Sequence, residues 1–109
     1  MTAILFLAQR ATAFVLALAV VAHLTTILYA VRGGLTAGEI LARTHGNVSL
    51  ALFYGLFVVA VAIHAPIGLR SVLREWTAWR GRSLDIALAI FCLLLLTLGG
   101  RAVFAVFGA

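Results

Sequence analysis

Residues 48–69 read VSLALFYGLFVVAVAIHAPIGL, a run that contains no Asp, Glu, Lys or Arg. Because about 20 apolar residues are needed to cross the hydrocarbon core of a bilayer as a helix, this run predicts a transmembrane helix. Two further apolar runs, at residues 11–31 and 84–106, are long enough to cross as well. The sequence therefore predicts an all-α membrane protein with three transmembrane helices.

The composition supports the same class for the whole chain. Of its 109 residues, 65% are hydrophobic and 10% are charged, whereas soluble domains have about 25% charged residues. A chain of this length accommodates about three crossings with short connections and no soluble domain in addition. We therefore expect a single membrane-anchor domain over residues 1–109, with any soluble catalytic domain on another chain.

Arginine supplies all eight basic side chains and gives the chain its formal net charge of +5. Such a balance in a soluble protein points to nucleic acid, but here the arginines flank apolar runs, so we expect a lipid bilayer and no nucleic acid as partner. Five arginines fall on one side of the membrane and three on the other: Arg10, Arg70, Arg74, Arg80 and Arg82 against Arg32, Arg43 and Arg101. By the positive-inside rule, the N-terminus and the second connection are cytoplasmic in a multi-pass protein of the cytoplasmic membrane.

The connections and the helix ends carry weaker local signals. Residues 35–47 predict a short polar loop with room for one helical turn, and residues 4–7 predict an interfacial turn before the first span. Ser83 is expected to cap the third transmembrane helix. Asp85 places a negative charge in the first turn of that helix, where the helix dipole favours it.

The three acidic residues, Glu39, Glu75 and Asp85, all lie in connections or at a helix end. Proton-coupled carriers usually place an ionisable acid inside the membrane, so a small solute carrier is disfavoured. The sequence also has no Ser, His, Asp arrangement and no metalloprotease spacing, so we do not expect the chain to catalyse a reaction alone.

His64 is the strongest candidate for a functional residue, because a polar side chain is costly inside a membrane span. The residues that share its helix face are small, namely Ala60, Gly68 and Ser71, and a flat porphyrin needs such clearance beside an axial ligand. Pro66 frees a backbone carbonyl next to the histidine. Haem ligation at His64 and ordinary helix packing beside a hydrogen-bonded histidine both remain open at this point.

His23 lies on the small, polar face of the first span together with Thr12 and Thr26. With a rise of 1.5 Å per residue, His23 lies about 8 Å further than His64 from the cytoplasmic ends of the predicted spans. The two histidines are therefore not expected to share one iron. We therefore expect His23 to be either the ligand of a second haem or a structural hydrogen-bonding residue. His45 lies in the first connection and is expected to be solvated.

Two short segments resemble motifs of the membrane-anchor cytochrome b subunit of succinate dehydrogenase and fumarate reductase. The family typically shows His-Arg-x-Ser/Thr-Gly at the opening of its first span, and residues 9–13 here read QRATA. It closes its second span with a histidine, three further residues and then Gly-Ile/Leu-Arg-His, and residues 64–71 here read HAPIGLRS. Gln9 and Ser71 stand where the family has histidines. The second segment is the better match, and three spans with a cytoplasmic N-terminus are also typical of the family.

The resemblance implies roles for the residues of both segments. It implies that His64 is an axial ligand of haem b, and that Arg70 and Ser71 lie near a haem propionate. Arg10 and Thr12 are the implied contacts of a quinone, Arg10 through its positive charge and Thr12 through its hydroxyl.

The resemblance also implies partners and a reaction. The family works with a flavoprotein subunit, an iron-sulfur subunit and a second membrane-anchor subunit, and here a second copy of this chain is an alternative to that last partner. Electrons pass from succinate through iron-sulfur centres to quinone, or in reverse during fumarate reduction. A larger anchor within the family binds two haems through histidines on its first two spans, and His23 and His64 would fit that arrangement. The alternative is a haem-free subunit that tethers or assembles a membrane complex.

Overall fold

The computed structural model describes residues 2–108, in which four helices follow one another along the chain. These are α1 (Ala3–Gly33), α2 (Ala37–Thr44), α3 (Val48–Trp76) and α4 (Arg82–Gly108). α1, α3 and α4 are long and apolar enough to cross a membrane, and the described residues contain no strand. The predicted class, an all-α membrane protein with three transmembrane helices, is confirmed. The orientation in the membrane stays a prediction.

The helices run past the predicted ends of the spans. α1 begins at Ala3, where the Leu5 N–H donates to the Thr2 hydroxyl at 3.2 Å, so residues 4–7 belong to α1 and the predicted separate turn is wrong. α3 continues beyond its predicted boundary to Trp76. Arginine is a good helix former, so the basic residues that mark the edge of the membrane do not end the helix.

The first connection contains a two-turn helix, α2, where a polar loop was predicted. Thr36 and Glu39 form a capping box: the Glu39 N–H donates to Thr36 Oγ1 at 3.2 Å, and the Thr36 N–H donates to Glu39 Oε1 at 3.4 Å. This exchange satisfies N–H groups that the first turn of a helix otherwise leaves free. The Gly46 N–H then donates to the Phe107 carbonyl at 2.9 Å, which ties the connection to the end of α4.

The start of α4 differs from the prediction in one residue. α4 begins at Arg82, so Ser83 lies inside its first turn and does not cap it. The Ser83 hydroxyl instead accepts a hydrogen bond from Trp79 Nε1 at 2.8 Å, because the loop folds the indole back over the helix start. Asp85 lies in the first turn as predicted.

α3 lies between α1 and α4 and packs along both. The molecule is 48 Å long and 23 Å wide, so its long axis exceeds the roughly 30 Å of a hydrocarbon core. Buried apolar side chains are few and mostly small, namely Ala19, Ala60, Ala62, Leu84 and Leu88. Large apolar side chains such as Ile4, Leu52 and Phe104 are exposed, as expected of helices whose outer faces contact lipid.

α3 and α4 approach closely at Gly99. A Cβ added at Gly99 would lie 2.6 Å from Val58 Cγ1 and 2.9 Å from Val58 Cγ2. Nothing lies within 4 Å of a Cβ added at the neighbouring Gly100. The two glycines therefore form a matched pair, one in the helix contact and one outside it.

We expect Gly99→Ala to lower the free energy of unfolding in detergent micelles by about 1–3 kcal/mol, because the β-branched Val58 has no other favourable rotamer to which it easily moves. Gly100→Ala is the control and should leave stability unchanged or raise it, since alanine favours the helix. Thermal unfolding followed by circular dichroism measures both variants. Equal melting temperatures would contradict the close approach of α3 and α4.

Candidate functional site

His64 and Thr12 meet across the interface between α1 and α3. His64 Nδ1 lies 3.2 Å from Thr12 Oγ1, and Thr12 is 8% exposed. His64 itself is half-buried and does not face lipid freely. The sequence assigned these residues to a haem and to a quinone separately, and the structure brings them into one contact.

The hydrogen bonds of Thr12 favour one tautomer of His64, with the proton on Nδ1. The Thr12 hydroxyl has one hydrogen, and its nearest acceptor is the Ala8 carbonyl at 2.7 Å. With that hydrogen used inside α1, Thr12 Oγ1 accepts from His64 Nδ1–H. His64 Nε2 then carries a lone pair, which is the form in which a neutral imidazole binds a metal.

Gln9 is a member of this cluster that sequence reasoning noted only as a departure from the family motif. A Cβ added at Gly68 would lie 3.3 Å from Gln9 Nε2, so the carboxamide packs directly on the glycine that was expected to leave room for a flat ring. Gln9 Oε1 is buried and has no hydrogen-bond partner within the described residues. The position of Gln9 three residues before Thr12, on the same helix face, was the signal in the sequence.

Arg10 and Thr12 do not line a common site in this chain. Successive residues of a helix are rotated by about 100°, so the two side chains leave α1 on nearly opposite sides. Thr12 faces α3, whereas Arg10 is exposed and its guanidinium lies 5.6 Å from the centre of the Phe6 ring. The role of the pair in quinone binding stays a prediction.

Arg70 and Ser71 both have partners within the chain. Arg70 Nε lies 3.5 Å from Asp85 Oδ1, in an ion pair that joins α3 to α4. Because the Asp85 side chain is 62% exposed, solvent screens this pair and its contribution to stability is small. The Ser71 hydroxyl donates to the Ile67 carbonyl at 3.3 Å. Arg70 also lines a groove of about 490 Å³ between the helices, and its other N–H groups are free to bind an anion.

His23 takes part in a chain of hydrogen bonds that sequence reasoning did not identify. Thr26 Oγ1 donates to the His23 carbonyl at 2.7 Å and therefore accepts from Tyr54 Oη at 3.1 Å. Tyr54 Oη in turn accepts from His23 Nδ1 at 3.2 Å. The Phe57 ring lies edge-on to the imidazole with 5.7 Å between ring centres. His23, like His64, is therefore held with its lone pair on Nε2.

The two histidines lie at different levels of the membrane. His23 follows Thr12 by eleven residues on α1, and Tyr54 precedes His64 by ten on α3, so the two contacts are separated by about 15 Å. This exceeds the 8 Å expected from the sequence, because α1 and α3 extend beyond the span ends from which depth was counted. At this separation the two imidazoles do not ligate one iron.

A groove with a volume of about 620 Å³ lies at the α2 end of the molecule. Its lining includes His23, Tyr54 and Arg43. His64 lines neither this groove nor the one beside Arg70. Among residues 2–108, no three His, Cys, Asp or Glu side chains converge as a metal site.

Comparison with known proteins gave no further assignment, since no family model, curated protein or solved structure matches the chain.

We expect ¹⁵N NMR of the histidine-labelled chain to show His64 protonated at Nδ1. Thr12→Val removes the acceptor at nearly constant volume, so His64 should move toward the tautomer protonated at Nε2, which is the form usually favoured when nothing binds Nδ1. Thr12→Ser keeps the hydroxyl and should keep the wild-type signal. An unchanged tautomer in Thr12→Val would show that Thr12 does not orient the imidazole.

Proposed function

We propose that this chain is the haem b-binding membrane-anchor subunit of a succinate:quinone oxidoreductase in the cytoplasmic membrane. The observation that carries the proposal is the contact of His64 Nδ1 with Thr12 Oγ1 at 3.2 Å. It fixes the orientation of an imidazole in a membrane helix through Nδ1, so that Nε2 would be the nitrogen offered to iron. The resemblance of residues 64–71 to the family motif supports the same role.

Side chains of residues 64–71, together with Thr12, offer the kinds of groups that haem b would need. Bound haem would take up and release one electron at a time between the iron-sulfur protein and quinone. His64 would supply a neutral nitrogen ligand, and Thr12 would fix the orientation of the ring. Arg70 would offer its unused N–H groups to a propionate, since guanidinium binds carboxylates well. Ser71 is a weaker candidate for the same propionate, because its hydroxyl hydrogen is used within α3.

The space around His64 restricts where a flat ring would fit. The carboxamide of Gln9 occupies the side toward Gly68. A porphyrin would therefore lie on another side of the imidazole, or Gln9 would turn away from the glycine. Because Gln9 Oε1 has no hydrogen-bond partner in its present place, turning away toward a donor would stabilise the side chain.

The proposed site is completed by another chain. His23 lies about 15 Å from the level of His64 along α1, and His45 lies beyond the end of α2. A second axial ligand would therefore come from a second membrane-anchor subunit or from a second copy of this chain. The exposed Arg10 would meet quinone at that same boundary, with a flavoprotein and an iron-sulfur subunit docked on the cytoplasmic side. His23, whose Nε2 is also free, is the candidate ligand of a second haem.

A haem-free tether is the second candidate, and one observation favours it. The packing of Gln9 on Gly68 leaves no space at the expected position beside His64. Both histidines also have a partner within the chain, which is what structural histidines in a membrane require. A purified complex without reduced b-type absorption bands would select this function.

We expect His64→Ala to remove b-type haem from the purified complex, because the iron loses a protein ligand. His45→Ala is the matched control and should keep the haem, since His45 is exposed and ends α2. Reduced-minus-oxidised spectra and the ratio of haem to protein measure both variants. Full retention of bis-histidine absorption in His64→Ala would exclude the proposed ligand, provided that both variants assemble with their partner subunits.

A further inference from the structure

The groove at the α2 end of the molecule has the dimensions of a site for one leaflet of a bilayer. It is formed by the last turns of α1, by α2 and by the first turns of α3. At one end lie Arg43 and Ile40, and at the other lie His23 and Tyr54. His23 precedes the end of α1 by ten residues, which corresponds to about 15 Å, and half of a hydrocarbon core is also about 15 Å thick. The distance from the end of α1 to His23 is therefore about the thickness of one leaflet.

The wall of this groove is apolar apart from a few groups, most of which already have partners. Tyr54 and Thr26 bond to each other. The Thr44 hydroxyl donates to the Ile40 carbonyl at 3.1 Å, and Asn47 accepts from the Leu50 N–H at 3.0 Å. A small polar solute would find few free groups along this wall, whereas a hydrocarbon chain would fit it.

Arg43 is the one charged residue that lines the groove. Its side chain is half-buried, and one N–H of its guanidinium donates to the Gly34 carbonyl at 2.5 Å. A Cβ added at Gly33 would lie 2.9 Å from Arg43 Nη1, so the guanidinium packs against the end of α1. Four of its five N–H groups remain for another acceptor.

Arg43 forms no salt bridge within the described residues, although the Glu39 carboxylate packs against Gly34, whose carbonyl accepts from the Arg43 guanidinium. The nearest acid along the chain, Glu39, accepts hydrogen bonds from the Thr36 hydroxyl at 2.7 Å and from the Thr36 N–H. The one salt bridge within residues 2–108 is that of Arg70 with Asp85, on α3 and α4. A half-buried guanidinium with unused donors at the depth of lipid headgroups binds phosphate favourably.

From the apolar wall, the one-leaflet length and the unpaired guanidinium, we infer that this groove binds one anionic phospholipid. Its phosphate lies on Arg43 and one acyl chain runs toward Tyr54. The inference requires neither haem at His64 nor any partner subunit, but it excludes a second haem at His23, because that haem would occupy the same groove.

The test compares lipid retention by the full chain purified in detergent, using native mass spectrometry with phosphatidylglycerol and phosphatidylcholine of identical acyl chains. The wild type should retain phosphatidylglycerol about tenfold better, because both lipids offer a phosphate to Arg43 but the choline of phosphatidylcholine adds a cation that repels the guanidinium. Arg43→Gln should reduce this preference to near parity, and Arg43→Lys should restore part of it. Arg32→Gln is the matched control, because Arg32 is exposed in the last turn of α1 and does not line the groove.

A second variant separates the phospholipid from a free anion. Ala30→Phe fills the groove while Arg43 stays in place, and it should reduce retention of phosphatidylglycerol as strongly as Arg43→Gln. Glycerol phosphate, which has no acyl chains, should not displace the lipid. The inference would be overturned if glycerol phosphate displaced the lipid, if Arg43→Gln left the preference unchanged, or if Arg32→Gln reduced it equally. It would also be overturned if the chain bound a haem that His23→Ala removes.

Discussion

Polar groups that lie in the hydrocarbon core are stable when they find partners within the protein, because the bilayer offers no hydrogen-bonding solvent, and Gln9 Oε1 is the buried exception among the described residues. The backbone meets this constraint by forming three long helices. The side chains meet it through threonine. Thr12 and Thr26 each donate their hydrogen to a carbonyl of their own helix, which leaves each hydroxyl oxygen as an acceptor toward α3. The contact of Thr12 with His64 and the hydrogen bonds from His23 through Tyr54 to Thr26 both use this free acceptor.

The constraint divides the molecule into two interfaces of different character. Between α1 and α3 lie both histidines, their threonine and tyrosine partners and Gln9. Between α3 and α4 the contacts are apolar, with Gly99 against Val58 and with Leu84 and Leu88 buried. The exposed ion pair of Arg70 with Asp85 lies only at the end of this second interface. One interface thus holds α3 and α4 together, and the other presents the groups on which any cofactor chemistry depends.

The sequence predicted the parts of this arrangement that depend on one helix at a time. Hydropathy found three spans, and helical periodicity placed His64 and His23 on small-residue faces. The register between helices is not encoded in either pattern, so the contact of Thr12 with His64 and the part played by Tyr54 appeared only in the structure. The separation of His23 and His64 along the helices was underestimated, because it was counted from the predicted span ends and α1 and α3 continue past those ends.

Two local features of the sequence predict parts of the structure that hydropathy does not. The spacing of Thr36 and Glu39 is that of a capping box, which predicts α2. The polar Gln9, on the same face as Thr12, predicts a polar contact inside the bundle. By contrast, the outward direction of Arg10 followed from rotation around α1 once the face of Thr12 was known.

Gln9 is where the two functional interpretations of the α1–α3 interface diverge. A buried amide oxygen without a partner is unfavourable by about 1–3 kcal/mol, and a protein that served only as a tether would gain stability from an apolar side chain there. In a protein that binds a flat ring beside His64, the Gln9 side chain would fill the space at Gly68 when no ring is bound. It would have to be held only weakly in order to move aside. The unsatisfied oxygen provides that weak hold, since moving away from Gly68 breaks no hydrogen bond of Oε1. Gln9 therefore bears on both interpretations: its packing on Gly68 closes the space beside His64, and its amide oxygen has no hydrogen bond that would be lost if the side chain moved.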